Sequence, residues 1–252
     1  MAELSKEQEI QEHAYAFPYH YIPRLDRRGF SQAVTLKWGY EYLSYIRFVM
    51  KQMESLEFQS LLDVGCGDGK FLYEVSRRFP HKRLVGLDYS ERAIRCATAL
   101  NPDGKYVCGD IADTALLKER FGLITLIETL EHVPPHRVEP FVRGLYHCLE
   151  SDGTLIVTVP SVNTKLNAKH YQHFDLESLR KAIEPFFTIS EHHFINRISA
   201  WSRLAEKLLV NQLFVLNERH LANLIYGSYE KYLLKAKENN TRRICALCKK
   251  NS

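Results

Sequence analysis

The stretch that decides the fold is LLDVGCGDGKF (61–71): an apolar run closed by Asp63 and Val64, then glycines at 65, 67 and 69. A glycine-rich turn after an apolar strand lets the backbone bend tightly and lets a ligand approach it closely. The helix that follows presents unpaired N–H groups from Gly69 to Phe71, which suits a nucleotide-like ligand. A dinucleotide fingerprint needs G-x-G-x-x-G, whose third glycine permits close packing of helix on strand. Here the pattern is G-x-G-x-G and position 70 is lysine, which points away from a nicotinamide or flavin.

Outward from this turn, short apolar runs alternate with helical patterns, the signature of βαβ units on a parallel sheet. Expected strands are SLLDV (60–64), RLVGLD (83–88), KYVCGD (105–110), LITLIE (123–128) and TLIVTV (154–159), followed by FFTISEHHFI (186–195) and RRICALC (242–248). The spacing predicts a helix over 137–149, with Val138, Phe141, Val142, Leu145, Tyr146 and Leu149 on one face, ending before a Ser151-Asp152-Gly153 turn. A second helix is expected near 175–184, with Asp175 as its N-cap. The expectation is an α/β, doubly wound, mostly parallel seven-stranded sheet in three parts. These are an aromatic-rich helical N-terminal lid (1–57), a core (58–195), and a helical insert with the final strand (196–252). Residues 197–240 read as helical throughout. Tyr15, Phe17, Tyr19, His20 and Tyr21 are the natural lid over the cleft.

Composition narrows the class. The chain has 252 residues, 45% apolar and 25% charged, and no run approaches the roughly 18 apolar residues of a membrane span. The N-terminus is polar, so a cytoplasmic protein is the expectation. Six cysteines show no disulfide rhythm, and Cys245 and Cys248, three apart on a strand, point to opposite faces rather than forming a metal or redox pair. Net charge is +4, but 197–252 carries eleven Lys or Arg against four Glu. That basic region suits an acidic substrate or a solvated helical face.

Two carboxylates follow the glycine turn at the ends of the next strands. Asp88 can accept both hydroxyls of a ribose, and Asp110 can face the exocyclic amine of an adenine, with Ile111 packing on the ring. With LLDVGCGDGKF, VGLDYS, CGDIAD, LITLIETLEHV and LESDGTLIVTVPS in this order, the chain over about 58–195 resembles the class I S-adenosylmethionine-dependent methyltransferases. The resemblance extends to ubiquinone-pathway O-methyltransferases within the broad methyltransferase-domain family. It implies S-adenosylmethionine as methyl donor, held by Asp63, Gly65, Cys66, Gly67 and Gly69 at the methionine part, Asp88 at the ribose, Asp110 and Ile111 at the adenine, and Glu128 beside the reacting end, with Tyr89 a further cofactor contact.

The sulfonium methyl is already activated, so the protein has to align a nucleophile and exclude water. His132 in ETLEHV is the expected base for an acceptor hydroxyl, and the expected reaction is O-methylation of a small molecule or sugar. Glu128, Glu131, His132 and His170 also resemble the divalent-metal site of small-RNA 2′-O-methyltransferases. That makes a metal possible but not favoured, and a metal-dependent RNA methyltransferase is the alternative. Without a recognisable RNA-binding module, nucleic acid is an unexpected partner. A non-catalytic cofactor-binding scaffold is the remaining alternative, and 197–240 is where a homodimer contact is expected.

Overall fold

The computed structural model describes residues 5–14, 24–26, 29–31, 36–209 and 218–251. In chain order the elements are α1 (Lys6–Ala14), β1 (Arg24–Asp26), β2 (Gly29–Ser31), α2 (Leu36–Met53), β3 (Ser60–Val64), α3 (Lys70–Arg78), β4 (Arg83–Asp88), α4 (Glu91–Leu100) and β5 (Lys105–Cys108). They continue as β6 (Phe121–Ile127), α5 (Val138–Cys148), β7 (Leu149–Pro160), α6 (Leu176–Ile183), β8 (Phe187–Arg197), α7 (Ala200–Leu209), α8 (Arg219–Tyr232) and β9 (Thr241–Lys250). The aromatic lid residues 15, 17, 19, 20 and 21 lie outside the described residues, as do 210–217.

Seven strands form one sheet in the order β5-β4-β3-β6-β7-β9-β8. β3 is buried along its whole length, as a central parallel strand covered on both faces must be. It runs parallel to β4, with Leu61 opposite Leu84, and to β6, with Leu61 opposite Leu123. β4 with β5 and β6 with β7 are also parallel. β9 runs antiparallel to β8: Ser190 Oγ donates to the Leu247 carbonyl, and Asn251 N to the Phe186 carbonyl. The expected doubly wound, mostly parallel sheet is therefore present. Its strand order reverses between β3 and β6, which opens a crevice at their carboxyl ends.

The chain divides into two compact units. The first comprises 1–19, 56–192 and 244–252, and the second 20–55 and 193–243. In the first, α4 is capped by Ser90, whose side chain accepts from Ala93 N at 3.1 Å. α6 is capped by Asp175 in a reciprocal box with Ser178, the N-cap expected from the sequence. In the second, Asn196 sits at φ 61 and donates to Ser44 Oγ at 3.0 Å. Arg243 and Arg242 pair with Glu41 and Glu206, so part of the basic excess of the C-terminal region is neutralised within this unit.

In the N-terminal region, Arg24–Asp26 and Gly29–Ser31 form an antiparallel pair, β1 with β2, between the helices α1 and α2. Two local expectations are corrected. Residues 197–240 are not helical throughout: α7 covers Ala200–Leu209 and α8 Arg219–Tyr232, and beyond α8 Lys235 bridges Ile195. Ser151-Asp152-Gly153 is not a turn ahead of the strand. Phe121 pairs with Leu149 and Leu123 with Thr154, so the extra residues are taken up as an irregularity inside β7.

Candidate active site

At the carboxyl ends of β3, β4 and β6 the first unit holds a cavity of about 810 Å³. Its lining includes Gly65, Asp88, Tyr89, Asp110, Ile111 and His132, six of the residues singled out from the sequence, together with Ser5, Gln8, Arg137 and Tyr171. Asp63, Cys66, Gly67, Gly69 and Glu128 are not among its lining residues.

The glycine turn is wired through the backbone. Gly65 and Cys66 both donate to the Leu87 carbonyl, at 2.8 and 3.0 Å, and Gly69 N donates to the Cys66 carbonyl. All three glycines have left-handed φ, 75, 55 and 76°. At Gly65 a Cβ would also lie 2.3 Å from Thr129 Oγ1, so no side chain fits there. Asp88 ties the turn to β4: one oxygen accepts from Gly67 N and the other from Ser90 N, each at 2.9 Å.

Asp63 is buried beneath this turn and accepts from Thr125 Oγ1 at 2.7 Å. Burial raises its pKa to about 7, the Thr125 bond opposes that shift, and the nearby Asp88 charge adds to it. Cys66 is buried, and its thiol is pushed well up by desolvation and the surrounding aspartates, so it is an inert packing group. Asp110 lies at the cavity edge, with one oxygen accepting from Ala112 N at 2.9 Å and the other from Arg137 at 2.7 Å.

The histidine side is assembled from distant segments. His132 lies in a 3₁₀ turn after β6, and one ring nitrogen, Nδ1, is 2.8 Å from the Lys169 carbonyl. A carbonyl only accepts, so Nδ1 carries the proton and Nε2 the lone pair. Burial, the Lys169 charge adding to it, lowers the His132 pKa to about 4, and the bond to the Lys169 carbonyl opposes this. The ring is therefore neutral at physiological pH.

His170 obeys the same logic at one remove. Thr164 Oγ1 donates to the Ser161 carbonyl, so His173 Nδ1, 3.1 Å from that hydroxyl and 3.2 Å from the Thr164 carbonyl, is a donor. In a neutral His173, Nε2 then accepts from His170 Nδ1 at 2.9 Å, and a neutral His170 carries its lone pair on Nε2. The His132 and His170 rings meet edge to face at 4.8 Å. One ligand atom from each of Glu131, His132 and His170 lies within 4.8 Å of the others, a set able to hold a metal ion.

Glu128, the fourth residue of the expected set, stands apart from this cluster. It sits at φ 50, its N–H bonded to Thr158 and one of its side-chain oxygens accepting from Thr158 Oγ1 at 3.1 Å. Lys169, mostly buried, has its pKa lowered by desolvation, while Glu131 and Glu128 pull it back up.

Sequence reasoning missed the N-terminal wall of the cavity. Ser5 and Gln8 form a reciprocal cap at the start of α1, Ser5 N donating to Gln8 Oε1 at 2.9 Å and Gln8 N to Ser5 Oγ. Ser5 Oγ also meets the Tyr171 hydroxyl at 2.5 Å. The S-x-x-Q spacing was the available signal. Arg137 was missed too.

Among the described residues, no helix is long and apolar enough to cross a membrane. Residues 62–157 match the family profile described as "Methyltransferase domain". Curated relatives include a trans-aconitate 2-methyltransferase of Variovorax paradoxus (strain S110), 31% identical over 104 residues that cover 41% of this chain and 39% of that protein. A carboxy-S-adenosyl-L-methionine synthase of Shewanella sp. (strain ANA-3) is 27% identical over 144 residues, 48% of this chain and 58% of that protein. The chain thus spans between about two fifths and three fifths of these relatives' lengths. Among solved structures, the N-methyltransferase NodS of Bradyrhizobium japonicum WM9, in complex with S-adenosyl-L-homocysteine, superposes with a TM-score of 0.56 at 16% identity, covering 84% of this chain and 88% of that one. Over residues 62–157, less than half of its length, the chain is similar to the methyltransferase-domain family, and the sheet that carries them has the class I methyltransferase fold.

Proposed function

We propose that this chain transfers a methyl group from S-adenosylmethionine to an oxygen of a small-molecule or sugar acceptor in the cytoplasm. The observation that carries the reading is the convergence of Gly65, Asp88, Tyr89, Asp110, Ile111 and His132 on one cavity large enough for a nucleoside and a second small molecule. When bound, the donor supplies a methyl group already activated on a sulfonium sulfur. Gly65 offers a surface without side chain to the methionine part. Asp88, fixed by Gly67 and Ser90, accepts the ribose hydroxyls, and Asp110 accepts the exocyclic amine while Ile111 and Tyr89 flank the base.

The acceptor side is lined by Ser5, Gln8, Tyr171 and His132, polar groups suited to a hydroxylated acceptor. His132 is uncharged at neutral pH, so its Nε2 lone pair holds the acceptor hydroxyl in line. With a pKa near 4 it is a weak base before reaction. It takes the proton only as the new C–O bond forms and the oxygen becomes strongly acidic.

A second reading has one specific observation in its favour, the set Glu131, His132 and His170. One carboxylate and two imidazole lone pairs fit a divalent cation. Such an ion supplies Lewis-acid polarisation of acceptor oxygens, including the terminal diol of an RNA. Glu131, His132 and His170 would hold it, and the backbone carbonyl of Lys169 and the ring of His173 would fix the two imidazole tautomers. In this reading His132 is a ligand rather than a base.

Calorimetric titration with S-adenosylmethionine and S-adenosylhomocysteine, then a mass-spectrometric acceptor screen for the gain of one CH2, tests both. No binding of either nucleoside removes the methyltransferase reading. Binding without turnover on any acceptor favours a scaffold. Activity that survives chelator and His170→Ala but falls with His132→Ala supports the base, and loss in all three supports the cation. A homodimer through 197–240 belongs to the same proposal and is tested by light scattering.

A further inference from the structure

Asp110 is not presented to the cavity as a bare carboxylate. Its Oδ2 accepts from Arg137 Nη2 at 2.7 Å while its Oδ1 accepts from Ala112 N at 2.9 Å. Arg137 itself lines the cavity beside Asp110. Its backbone is set by Pro134 and Pro135, which begin a 3₁₀ turn, and by its own N–H to the Pro134 carbonyl at 2.8 Å.

The same loop touches α5 at a second point. A Cβ at Gly144 would lie 2.0 Å from the Ile111 carbonyl oxygen, so helix and loop approach as closely as glycine allows. The segment 110–112 is thus held against the start of α5 by an ion pair and against its middle by a backbone contact.

From this arrangement we infer that Arg137 is a positioning residue for base selectivity, holding the Asp110 side chain in one orientation so that the cavity selects a 6-aminopurine over a 6-oxopurine. The inference rests on the donor reading proposed above. An amine N–H donates to the carboxylate, whereas a 6-oxo group sets acceptor against acceptor, and a site built around one hydrogen bond rejects the analogue that cannot make it. Without Arg137 the Asp110 carboxylate is oriented by the Ala112 N–H alone and its second oxygen is no longer fixed, so selectivity falls. Both side chains of the pair are about half exposed, 49% and 44%, so the substitutions leave the core intact.

The test measures dissociation constants for S-adenosylhomocysteine and its 6-oxo analogue S-inosylhomocysteine by calorimetry on the full chain, with circular dichroism to verify folding. The wild type is expected to favour the amino compound by roughly 10- to 100-fold. Arg137→Ala lowers that ratio several-fold, Arg137→Lys restores part of it, and Asp110→Asn lowers it with no further loss in the double variant. Gly144→Ala, which displaces the loop bodily, lowers both affinities and serves as the structural comparison.

An unchanged or increased ratio in Arg137→Ala, with the wild type binding S-adenosylhomocysteine, overturns the inference alone. Failure of the wild type to bind either compound overturns the donor reading and this inference with it.

Discussion

Between Gly65 and Gly69 the chain turns on backbone hydrogen bonds to the end of β4, and Asp88 closes the loop with both carboxylate oxygens. Between 161 and 173 backbone bonds, such as Thr164 N to the Ser161 carbonyl and Tyr171 N to the Glu131 carbonyl, are joined by a relay in which the Ser161 carbonyl, Thr164, His173 and His170 each fix the next group's proton. The first arrangement specifies a shape. The second specifies where lone pairs lie. A shape built from backbone tolerates changes in neighbouring side chains but not a Cβ at Gly65, whereas a relay loses function with any one member.

The sharpest way to break the first arrangement is Gly65→Ala. The left-handed φ and the collision with Thr129 act together, and strain of about 1–3 kcal/mol spent against binding weakens it by up to roughly 100-fold. Titration with S-adenosylhomocysteine reads this, and unchanged affinity would show that the turn is not part of the nucleoside site.

The relay is tested at one remove from the cavity by His173→Phe. If Glu131, His132 and His170 hold a cation, loss of the partner on His170 Nδ1 weakens cobalt(II) or manganese(II) binding by about 10- to 100-fold while nucleoside affinity is kept. Equal loss of both would mean that His173 only packs.

The smallest effects lie in the pH dependence of stability, where the two sides have opposite signs. His132 folded has a pKa of about 4, below the usual 6.5, so the folded state binds fewer protons and stability is lost as pH falls through that window. Asp63 folded has a pKa of about 7, above the usual 3.8, so stability is lost as pH rises from about 4 to 7. His132→Gln is expected to flatten the acid side of a melting-temperature profile. Asp63→Asn is expected to raise melting temperatures most at pH 7 and above, by an amount on the order of 1 kcal/mol in stability. Parallel profiles for either variant and the wild type would remove that group from the balance.

The sheet was legible because its signals are local. Each parallel strand is a short apolar run next to a helical pattern, and the strand ends carried Asp63, Asp88 and Asp110 in order. Ser151-Asp152-Gly153 misled because a bulge and a turn use the same residues, and only the pairing of Phe121 with Leu149 separates them. Glu131, His132 and His170 were visible as letters, but not that Glu128 would stand apart, since its left-handed backbone depends on Thr158, thirty residues away. Ser5 and Gln8 were illegible as cavity wall for the same reason: the contact of Ser5 with Tyr171 spans 166 positions of chain.

Glu128 carries a consequence for laboratory evolution. A non-glycine residue at φ 50 costs about 1–2 kcal/mol, and glycine there would recover only the part left after its own chain-entropy cost of about 0.4–1 kcal/mol and the lost bond to Thr158. Where that part is positive, a library of this protein sorted only for heat resistance enriches Glu128→Gly. The survivors would be hardier proteins missing a carboxylate beside Lys169, which is how a screen for robustness erodes a capability it never measures.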